Sequence, residues 1–428
     1  MDIYVVQPGD NIESIAAKYD ITVERLISDN GLINPFSLVV GQTIVILSPK
    51  KTYTVMQGDT LASIADSNGI SVVQLMRNNP FLYSREFIYP GDSLVISYNT
   101  IKDLQVIGYT YLFLSQDILA RALTYLTYLS IFNYRIAENA EIINYGDDTA
   151  IIRMAKAYDT IPLLMISSFS PTGELNVEFV YQLLLVKEQQ DSLINSMLQI
   201  IRSKGFKGIN FLISYITEYN QSLYLNFFTK LSKALKNEGY VFMITISPNY
   251  LSDNIHLDYH SLSLLVDRII FLQNIWGMNK QPPAPISNIS LIRPFIEDAT
   301  SQVSSKYFSL GKPLIGYDWK LPYTPDATVA NIMSLNSCIA LAYDQRALIQ
   351  LDEESQTPYF NYTRSTVGAP EKHIVWFIDA RSIKALDDII IDYDLSSTGL
   401  WYLTSYNQQL YSIINALFNI IKLPITLS

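Results

Sequence analysis

The stretch Lys204-Gly-Phe-Lys-Gly-Ile-Asn-Phe-Leu-Ile-Ser214 carries the strongest fold signal in this sequence. Apolar residues at 198, 200 and 201 give the preceding segment a helical face, and Gly205 is typical of a residue that ends a helix. The run from Ile209 to Ile213 is short and apolar, which predicts a buried strand. A helix, a tight turn and a buried strand in this order are typical of a parallel α/β sheet.

Seven further apolar segments alternate with amphipathic helical patterns from Leu104 onward. Strands that alternate with helices predict a parallel sheet. Eight such units predict a (β/α)8, or TIM, barrel of the α/β class. With the stretch above as the fourth strand, the other predicted strands are Leu104–Tyr109, Tyr128–Tyr134, Ile161–Ser168, Val241–Ser247, Arg268–Gln273, Pro313–Tyr317 and Thr398–Leu403.

The first hundred residues contain an internal repeat. The segment Tyr4–Ile12 returns as Tyr53–Leu61, and Gly41–Ile46 returns as Gly91–Ile96. Each copy has the pattern of a strand, two helices and a strand. The sequence therefore predicts three units, which are a first βααβ module at 1–49, a second at 50–98 and the barrel at 104–428.

The composition limits the possible partners. The chain has 428 residues, of which 49% are hydrophobic, and a formal net charge of −10. This acidic balance argues against binding to nucleic acid or to an anionic membrane surface. One cysteine and three histidines predict neither an internal disulfide nor a metal site, and we expect no cofactor. The 30 tyrosines fit a neutral carbohydrate ligand, although core packing is the more common use of aromatic residues.

We expect neither a signal peptide nor a membrane span. The sequence Met1-Asp-Ile-Tyr-Val-Val enters a strand pattern directly, without a basic and an apolar leader region. No apolar run reaches the roughly 18 to 20 residues that cross a bilayer. The apolar segment Tyr411–Leu427 contains polar residues, which favours an amphipathic closing helix.

Both copies of the repeat resemble the LysM domain. The resemblance implies binding of N-acetylglucosamine chains, as in peptidoglycan or chitin, between the loop after the first strand and the loop after the second helix. The residues that it assigns to sugar binding are Gly9, Asp10, Asn11, Ile12, Asn30, Gly58, Asp59, Thr60, Leu61 and Asn79. Alternatively, the aspartates cap the first helix of each module and the asparagines close turns. The two roles are compatible if backbone groups hold most of the sugar.

The fourth predicted strand resembles the catalytic strand of glycoside hydrolase family 18. The family motif is Asp-x-x-Asp-x-Asp-x-Glu, often Asp-Gly-x-Asn-x-Asp-x-Glu in the spore-associated branch, and Gly208 and Asn210 match it. The segments Tyr125–Arg135, Gly316–Tyr323 and Trp376–Ser382 are similar to the LysM-bearing spore germination branch, which comprises cortical-fragment-lytic N-acetylglucosaminidases. The resemblance covers the whole chain and implies a small α+β insertion at about 323–372.

The ionisable residues of that motif are replaced in this chain. Lys207 stands in place of the first Asp, Leu212 in place of the last Asp and Ser214 in place of the acidic Glu. In the family, the Glu protonates the leaving oxygen while the substrate's own N-acetyl group attacks the anomeric carbon, and the last Asp stabilises the oxazolinium. Asn274 also replaces the Tyr that orients the N-acetyl group. Because Ser214 is too weak an acid and Leu212 cannot stabilise a cation, we expect no catalytic residues.

Glu218 is the alternative acid, four residues after Ser214. It could reach the position of the missing Glu only if the chain were shifted by four residues relative to the family motif. The spacing from the motif to Tyr224 and Phe227 matches the family without a gap, which favours a place for Glu218 in the loop.

Aromatic residues are predicted near the C-terminal ends of the barrel strands, where such barrels bind their substrates. Their rings can stack on the apolar faces of pyranoses or pack the top of the barrel. These residues are Tyr109, Trp276, Tyr317, Trp319 and Trp401.

Three functions fit these patterns. The first is a peptidoglycan- or chitin-binding protein of the spore envelope whose family 18 barrel is inactive, that is, a pseudoenzyme. The second is an active N-acetylglucosaminidase that degrades cortex fragments, and the third is a structural protein of the spore coat whose barrel binds another protein. The resemblance implies a location in the coat or cortex of an endospore-forming bacterium.

Overall fold

The computed structural model contains two small modules, a barrel and a sheet inserted into the barrel. The residues that it describes are 1–85, 87–137, 141–167, 184–213, 216–246, 257–272, 278–365, 368–401, 403–404 and 406–424.

Each half of the sequence repeat folds as a strand, two helices and a strand. Module 1 consists of β1 (Asp2–Val5), α1 (Ile12–Lys18), α2 (Val23–Asn30) and β2 (Thr43–Ile46). Module 2 consists of β3 (Lys51–Thr54), α3 (Leu61–Ser67), α4 (Val72–Asn78), a 3-10 turn (Pro80–Ser84) and β4 (Ser93–Ser97). The two strands of each module pair antiparallel over a small apolar core. The predicted βααβ pattern is confirmed.

Eight parallel strands close into a barrel, as predicted. The ring is closed because β5 pairs with β6 on one side and with β18 on the other. In order around the ring, the strands are β5 (Lys102–Tyr111), β6 (Tyr128–Ile136), β8 (Ile161–Ser167), β9 (Gly208–Ile213), β10 (Val241–Ile246), β11 (Arg268–Phe271), β12 (Phe308–Pro313) and β18 (Ser397–Trp401). A short strand, β7 (Ile142–Asn144), lies antiparallel to the end of β6.

Helices follow the barrel strands and cover the outer face of the ring. They are α5 (Gln116–Leu123), α6 (Thr149–Ala157), α7 (Lys187–Lys204), α8 (Gln221–Lys236), α9 (Tyr259–Leu265), α10 (Ile289–Gln302), α12 (Ala380–Asp392) and α13 (Gln408–Leu417). Two short 3-10 turns are Met278–Lys280 and Ser305–Tyr307. In the parts of the chain that are described, no helix combines the length and the apolarity needed to cross a membrane.

An antiparallel sheet is inserted between the seventh and eighth barrel strands. In spatial order its strands are β14 (Asn331–Met333), β13 (Gly316–Leu321), β17 (Glu371–Phe377), β16 (Thr357–Arg364) and β15 (Gln350–Asp352). One helix, α11 (Leu335–Asp344), belongs to this unit. The inserted sheet therefore extends beyond the predicted range of about 323–372 at both ends.

The prediction of Pro313–Tyr317 as the seventh barrel strand was wrong. The strand is β12, and Gly316 already begins the inserted sheet by pairing with Phe377. The apolar pattern of β12 is interrupted by Lys312, which explains the error. The Lys312 ammonium is fully buried, where it lies 2.8 Å from Asp387 of α12 and donates a hydrogen bond to Thr398.

Both modules pack on the last barrel helix, α13, through polar side chains that are buried. Gln409 donates hydrogen bonds to Asn30 Oδ1 (3.0 Å) and to the Thr43 carbonyl (2.6 Å) of module 1. Asn415 donates to Asn78 Oδ1 (2.8 Å) and accepts from Arg77 Nε (3.1 Å), both of module 2. Each module is thus held by a different turn of the same helix.

A close backbone approach brings module 1 to this helix. Gly31 ends α2 with a φ of 60°, and a Cβ at this position would lie 2.6 Å from Cβ of Gln408. Both the left-handed conformation and the narrow space favour glycine here.

The chain after α13 closes the lower end of the barrel. β19 (Phe418–Ile420) pairs with the start of β5, and the Lys422 ammonium donates to the carbonyls of Leu126 and Tyr158 and to Thr160. Burial and the nearby Arg77 guanidinium lower the pKa of Lys422 to about 7. The acceptors of the Lys422 ammonium are carbonyl and hydroxyl oxygens, which carry no formal charge.

Replacing Asn415 by Ala tests the packing of module 2 on α13. The change removes the acceptor of the buried Arg77 Nε and the donor to Asn78 Oδ1, so we expect the free energy of unfolding to fall by about 2–3 kcal/mol. Asn419→Ala is the matched control, since Asn419 makes one exposed hydrogen bond to Asp103 and should cost less than about 1 kcal/mol. Urea denaturation followed by circular dichroism measures both changes, and equal losses would contradict the proposed importance of the buried network.

Candidate functional site

The fourth barrel strand, β9, separates two cores. Ile209, Phe211 and Ile213 belong to the outer core under the helices, whereas Leu212 belongs to a separate cluster inside the barrel. Alternate residues of a strand point to opposite faces, so residues 210 and 212 face inward. Ser214 lies outside the described residues.

The amide of Asn210 joins its own strand, β9, to three other strands inside the barrel. Its Nδ2 donates to Ser130 Oγ (2.9 Å) and to the Tyr109 hydroxyl (3.3 Å), and its Oδ1 accepts from Thr245 Oγ1 (2.8 Å). The Tyr109 hydroxyl also hydrogen-bonds Thr245 Oγ1 at 2.8 Å. The network is neutral and fully buried, and burial raises the pKa of Tyr109.

Leu212 occupies apolar surroundings beside this network. It is completely buried, in the same inner cluster as Tyr109, Met165 and Trp401. The Asn210 network beside it consists of hydroxyl groups and one amide, none of which is a carboxylic acid.

Three aromatic residues, Tyr111, Phe113 and Phe132, form what we call the aromatic ledge. It continues the inner cluster toward the carboxyl ends of β5 and β6. The ring of Tyr111 lies 5.3 Å from that of Phe113, nearly parallel to it, and 4.9 Å from that of Phe132. Trp401 contacts Tyr109 and Tyr111 edge-on, at 5.2 and 6.3 Å. Phe113 is largely exposed, so the ledge presents an aromatic face at the carboxyl end of the strands. The prediction from sequence missed these residues, although the alternation Tyr109, Tyr111, Phe113 was a usable signal.

The aromatic residues predicted at the mouth occupy different parts of the molecule. Tyr109 and Trp401 lie inside the barrel, where both are almost completely buried. Tyr317 and Trp319 lie instead on β13 of the inserted sheet, and Trp319 is fully buried with its Nε1 donating to the Gln281 carbonyl at 2.9 Å. They were placed on or beside a barrel strand because the seventh strand was misplaced, and their assignment to sugar binding stays a prediction. Trp276 and Asn274 lie outside the described residues.

Glu218, the alternative acid, and Asp318 both lie outside the eight barrel strands. Glu218 is exposed in the turn before α8, as its predicted place in the loop requires. Asp318, on β13, accepts hydrogen bonds from the Tyr362 hydroxyl (2.8 Å) and lies 2.9 Å from Nδ1 of His373. No group of three His, Cys, Asp or Glu residues in the described chain could hold a metal ion.

Asp10 and Asp59 stabilise the turns of the two modules in the same way. Asp10 Oδ2 accepts from the Tyr4 hydroxyl (2.6 Å) and from the Gln7 amide (2.7 Å). Asp59 Oδ2 makes the equivalent bonds with Tyr53 and Met56. The hydrogen bond from Tyr4 lowers the pKa of Asp10. Gly9 and Gly58 lie in the same exposed turns.

The helix caps are the next residues along the chain. Asn11 caps α1 through reciprocal hydrogen bonds with Ser14, and Thr60 caps α3 in the same way with Ser63. The prediction that the aspartates cap these helices was therefore wrong by one residue. Asn11 and Thr60 are exposed, whereas Ile12 is fully buried in the core of module 1 and Leu61 is half-buried.

Asn30 and Asn79 are buried and use their amides to close the modules. Asn30 bonds the Leu26 carbonyl and both backbone groups of Val45, and Asn79 bonds Leu75 and Val95 in the same pattern. Their structural role, which the sequence left as one of two possibilities, explains every one of these hydrogen bonds.

Large apolar residues are exposed on the loops that follow the second helix of each module. Ile33 and Phe36 lie on the loop of module 1, and Phe87 and Tyr89 lie on the loop of module 2. Exposed apolar groups of this size in neighbouring positions are typical of binding surfaces. These four residues were not among those predicted from the sequence.

Comparisons with protein families match both parts of this architecture. Residues 4–47 and 53–97 match the family described as LysM domain. Residues 121–405 match the family described as Glycosyl hydrolases family 18.

Two proteins of Bacillus subtilis (strain 168) are similar over nearly the whole chain. One, named "Putative sporulation-specific glycosylase YdhD", is 31% identical over 94% of this chain and 96% of its own. The other, named "Cortical fragment-lytic enzyme", is 30% identical over 99% of both chains. The crystal structure of the spore cortex-lytic enzyme SleL of Bacillus megaterium QM B1551 superimposes with a TM-score of 0.80, at 28% identity and over 99% of both chains. The chain therefore belongs to glycoside hydrolase family 18 and carries two LysM domains before its barrel.

Proposed function

We propose that this protein binds the N-acetylglucosamine chains of spore peptidoglycan without hydrolysing them. The observation that carries the proposal is Leu212, which is buried in an apolar cluster at the position of the family's last Asp. A carboxylate at this position would stabilise the oxazolinium, and a leucine side chain has no charge to offer. Ser214, at the position of the acid, has a hydroxyl that is too weak an acid to protonate a leaving oxygen at neutral pH.

Binding itself is supported by two surfaces. Ile33, Phe36, Phe87 and Tyr89 are exposed on the module loops that the LysM resemblance assigns to the glycan groove. The aromatic ledge at the barrel mouth offers ring faces on which pyranoses stack. Neither surface depends on the residues that are replaced in the catalytic motif.

The second candidate function is hydrolysis of spore cortex fragments, and the comparisons favour it over an inactive barrel. Two relatives that match nearly the whole chain are named "Putative sporulation-specific glycosylase YdhD" and "Cortical fragment-lytic enzyme". An active enzyme would need an acid from elsewhere in the chain, and Glu218 is the nearest candidate in the sequence. Glu218 is exposed in the turn before α8.

The relatives also support a location in the spore envelope, because their names refer to sporulation and to the spore cortex. We therefore propose that the protein acts at the cortex. A role as a coat protein that binds other coat proteins stays a prediction from the sequence.

The module loops can be tested by pelleting the full-length protein with insoluble peptidoglycan or chitin. We expect the wild type to pellet, and we expect the double change Phe36→Ala and Phe87→Ala to raise the apparent Kd at least about tenfold, because each removed ring loses about 1 kcal/mol or more of apolar contact. Leu264→Ala removes an exposed apolar residue from α9 and should leave the bound fraction unchanged. A wild type that stays in the supernatant at physiological salt would refute binding by the modules.

The chemistry can be tested by restoring the motif. We expect the wild type to release no product from N-acetylglucosamine oligomers or cortex fragments, and Ser214→Glu alone to give little activity. The triple change Leu212→Asp, Ser214→Glu and Asn274→Tyr restores the acid, the stabilising carboxylate and the orienting hydroxyl together, so it should produce measurable turnover. Product release is followed by chromatography, with circular dichroism to verify that each variant is folded.

Glu218→Gln distinguishes the two candidate functions. Hydrolysis by the wild type that disappears in this variant would identify Glu218 as the acid and would establish the hydrolytic candidate.

A further inference from the structure

A cleft of about 490 Å³ lies where module 1, the inserted sheet and the barrel meet. Its three walls are the module loop from Leu32 to Ser37, helix α11 and the start of α13 around Asn407. We call it the junction cleft. Asn407 follows the eighth barrel strand, so this wall of the cleft lies toward the same end of the barrel as the mouth.

The walls of the junction cleft are fixed relative to one another. The Ile349 amide of the inserted sheet donates to the Val40 carbonyl of module 1 at 3.1 Å, and Arg381 donates to the Gly41 carbonyl at 3.2 Å. Gln409 joins the third wall to Asn30 and Thr43. The cleft is therefore built into the folded chain, as ligand sites usually are.

The lining of the cleft excludes anionic ligands. Its described charged residues are Asp344 and Asp379, and none of the described lining residues is a lysine or an arginine. Asp379 is neutralised by Arg381, which binds its carboxylate at 2.6 Å, so Asp344 leaves the surface acidic. Phosphate or carboxylate groups would be repelled, and they would find no cation there to pair with.

The remaining lining suits a neutral ligand rich in hydroxyl and amide groups. Asn34, Asn336 and Ser337 are among its polar residues, and Ile33 and Tyr343 are exposed on two different walls. An aromatic ring and an aliphatic side chain can hold the two apolar faces of a pyranose, while amides bond its hydroxyls. The acetamido groups of N-acetylglucosamine offer further donors to Asp344.

We infer that the junction cleft binds N-acetylglucosamine units of a glycan that continues from module 1 onto the inserted sheet. The inference rests on the proposed function, because module 1 must hold the same chain. The loop of Ile33 forms one wall of the cleft and follows the second helix of module 1, so a glycan on this loop is already at the cleft entrance. Helix α11 then supports the next sugars on the side of the barrel mouth.

The test compares short and long chitin oligomers by isothermal titration calorimetry on the full-length protein. Tyr343→Ala removes the aromatic wall, and Ala340→Trp fills the cleft from an exposed position of α11. We expect each change to weaken binding of the hexamer about tenfold and to leave binding of the dimer unchanged. Tyr145→Ala is the matched control, since Tyr145 is 50% exposed and Tyr343 is 49% exposed. The control should bind both oligomers like the wild type.

The possible results separate the two proposals. A wild type that binds neither oligomer overturns the proposed function and this inference together. Wild-type binding of the hexamer that both cleft variants retain overturns the inference alone. A soluble muropeptide with its acidic stem should bind no more tightly than the neutral oligomer. Tighter binding that Tyr343→Ala abolishes would make the stem peptide the ligand and would overturn the glycan assignment.

Discussion

The buried hydrogen bonds between α13 and the two modules are the interaction on which the rest of the arrangement depends. Gln409 and Asn415 lie on this helix, and each is paired with an asparagine of a different module. Buried amides must be paired to be tolerated, so they fix orientation more strictly than apolar contacts do. The inserted sheet then fits against module 1 because that module already has a defined position. Two modules that could have been loosely tethered are thus both held on one helix.

Inside the barrel, buried polar groups are likewise paired with one another, and the position of a catalytic residue is apolar. The Asn210 network satisfies each polar group with a neutral partner, and Leu212 fills the adjacent space with apolar atoms. A carboxylate at position 212 would need compensating donors in a cluster that is buried and apolar, at a cost of several kcal/mol. The replacement of Asp by Leu is therefore compatible with a stable barrel. The Leu212 side chain packs in the space that a catalytic carboxylate would otherwise occupy.

Much of the fold was predictable because it follows from periodicity. The repeat of Tyr4–Ile12 at Tyr53–Leu61 defined the modules, and alternation in the strands defined the barrel. The seventh strand was missed because Lys312 looks exposed in sequence, and its partner Asp387 becomes adjacent only in the folded barrel. The helix caps were misplaced by one residue because Asp and Asn or Thr are all good capping residues. For the site, the inward position of Leu212 was predictable from strand alternation.

The remaining features of the site depend on contacts between distant segments. A polar residue on an amphipathic closing helix is normally solvated, so nothing local in Asn415 indicates that it pairs with Arg77. The junction cleft has the same origin, since its walls come from three separate parts of the chain. Tyr317 and Trp319 were assigned to the mouth because the seventh strand was placed on the segment where the inserted sheet begins.

The seal at the lower end of the barrel has a consequence for biosynthesis. β19 and Lys422 complete that end by pairing with β5 and with acceptors at Leu126, Tyr158 and Thr160. A ribosome makes these segments about 300 residues after the first barrel strand, and it makes α13 almost as late. The modules can fold early because their contacts are local, whereas the barrel must wait for its last strand. During synthesis, the nascent chain therefore carries two finished domains beside an open sheet, and this is the stage at which a chaperone would have most to protect.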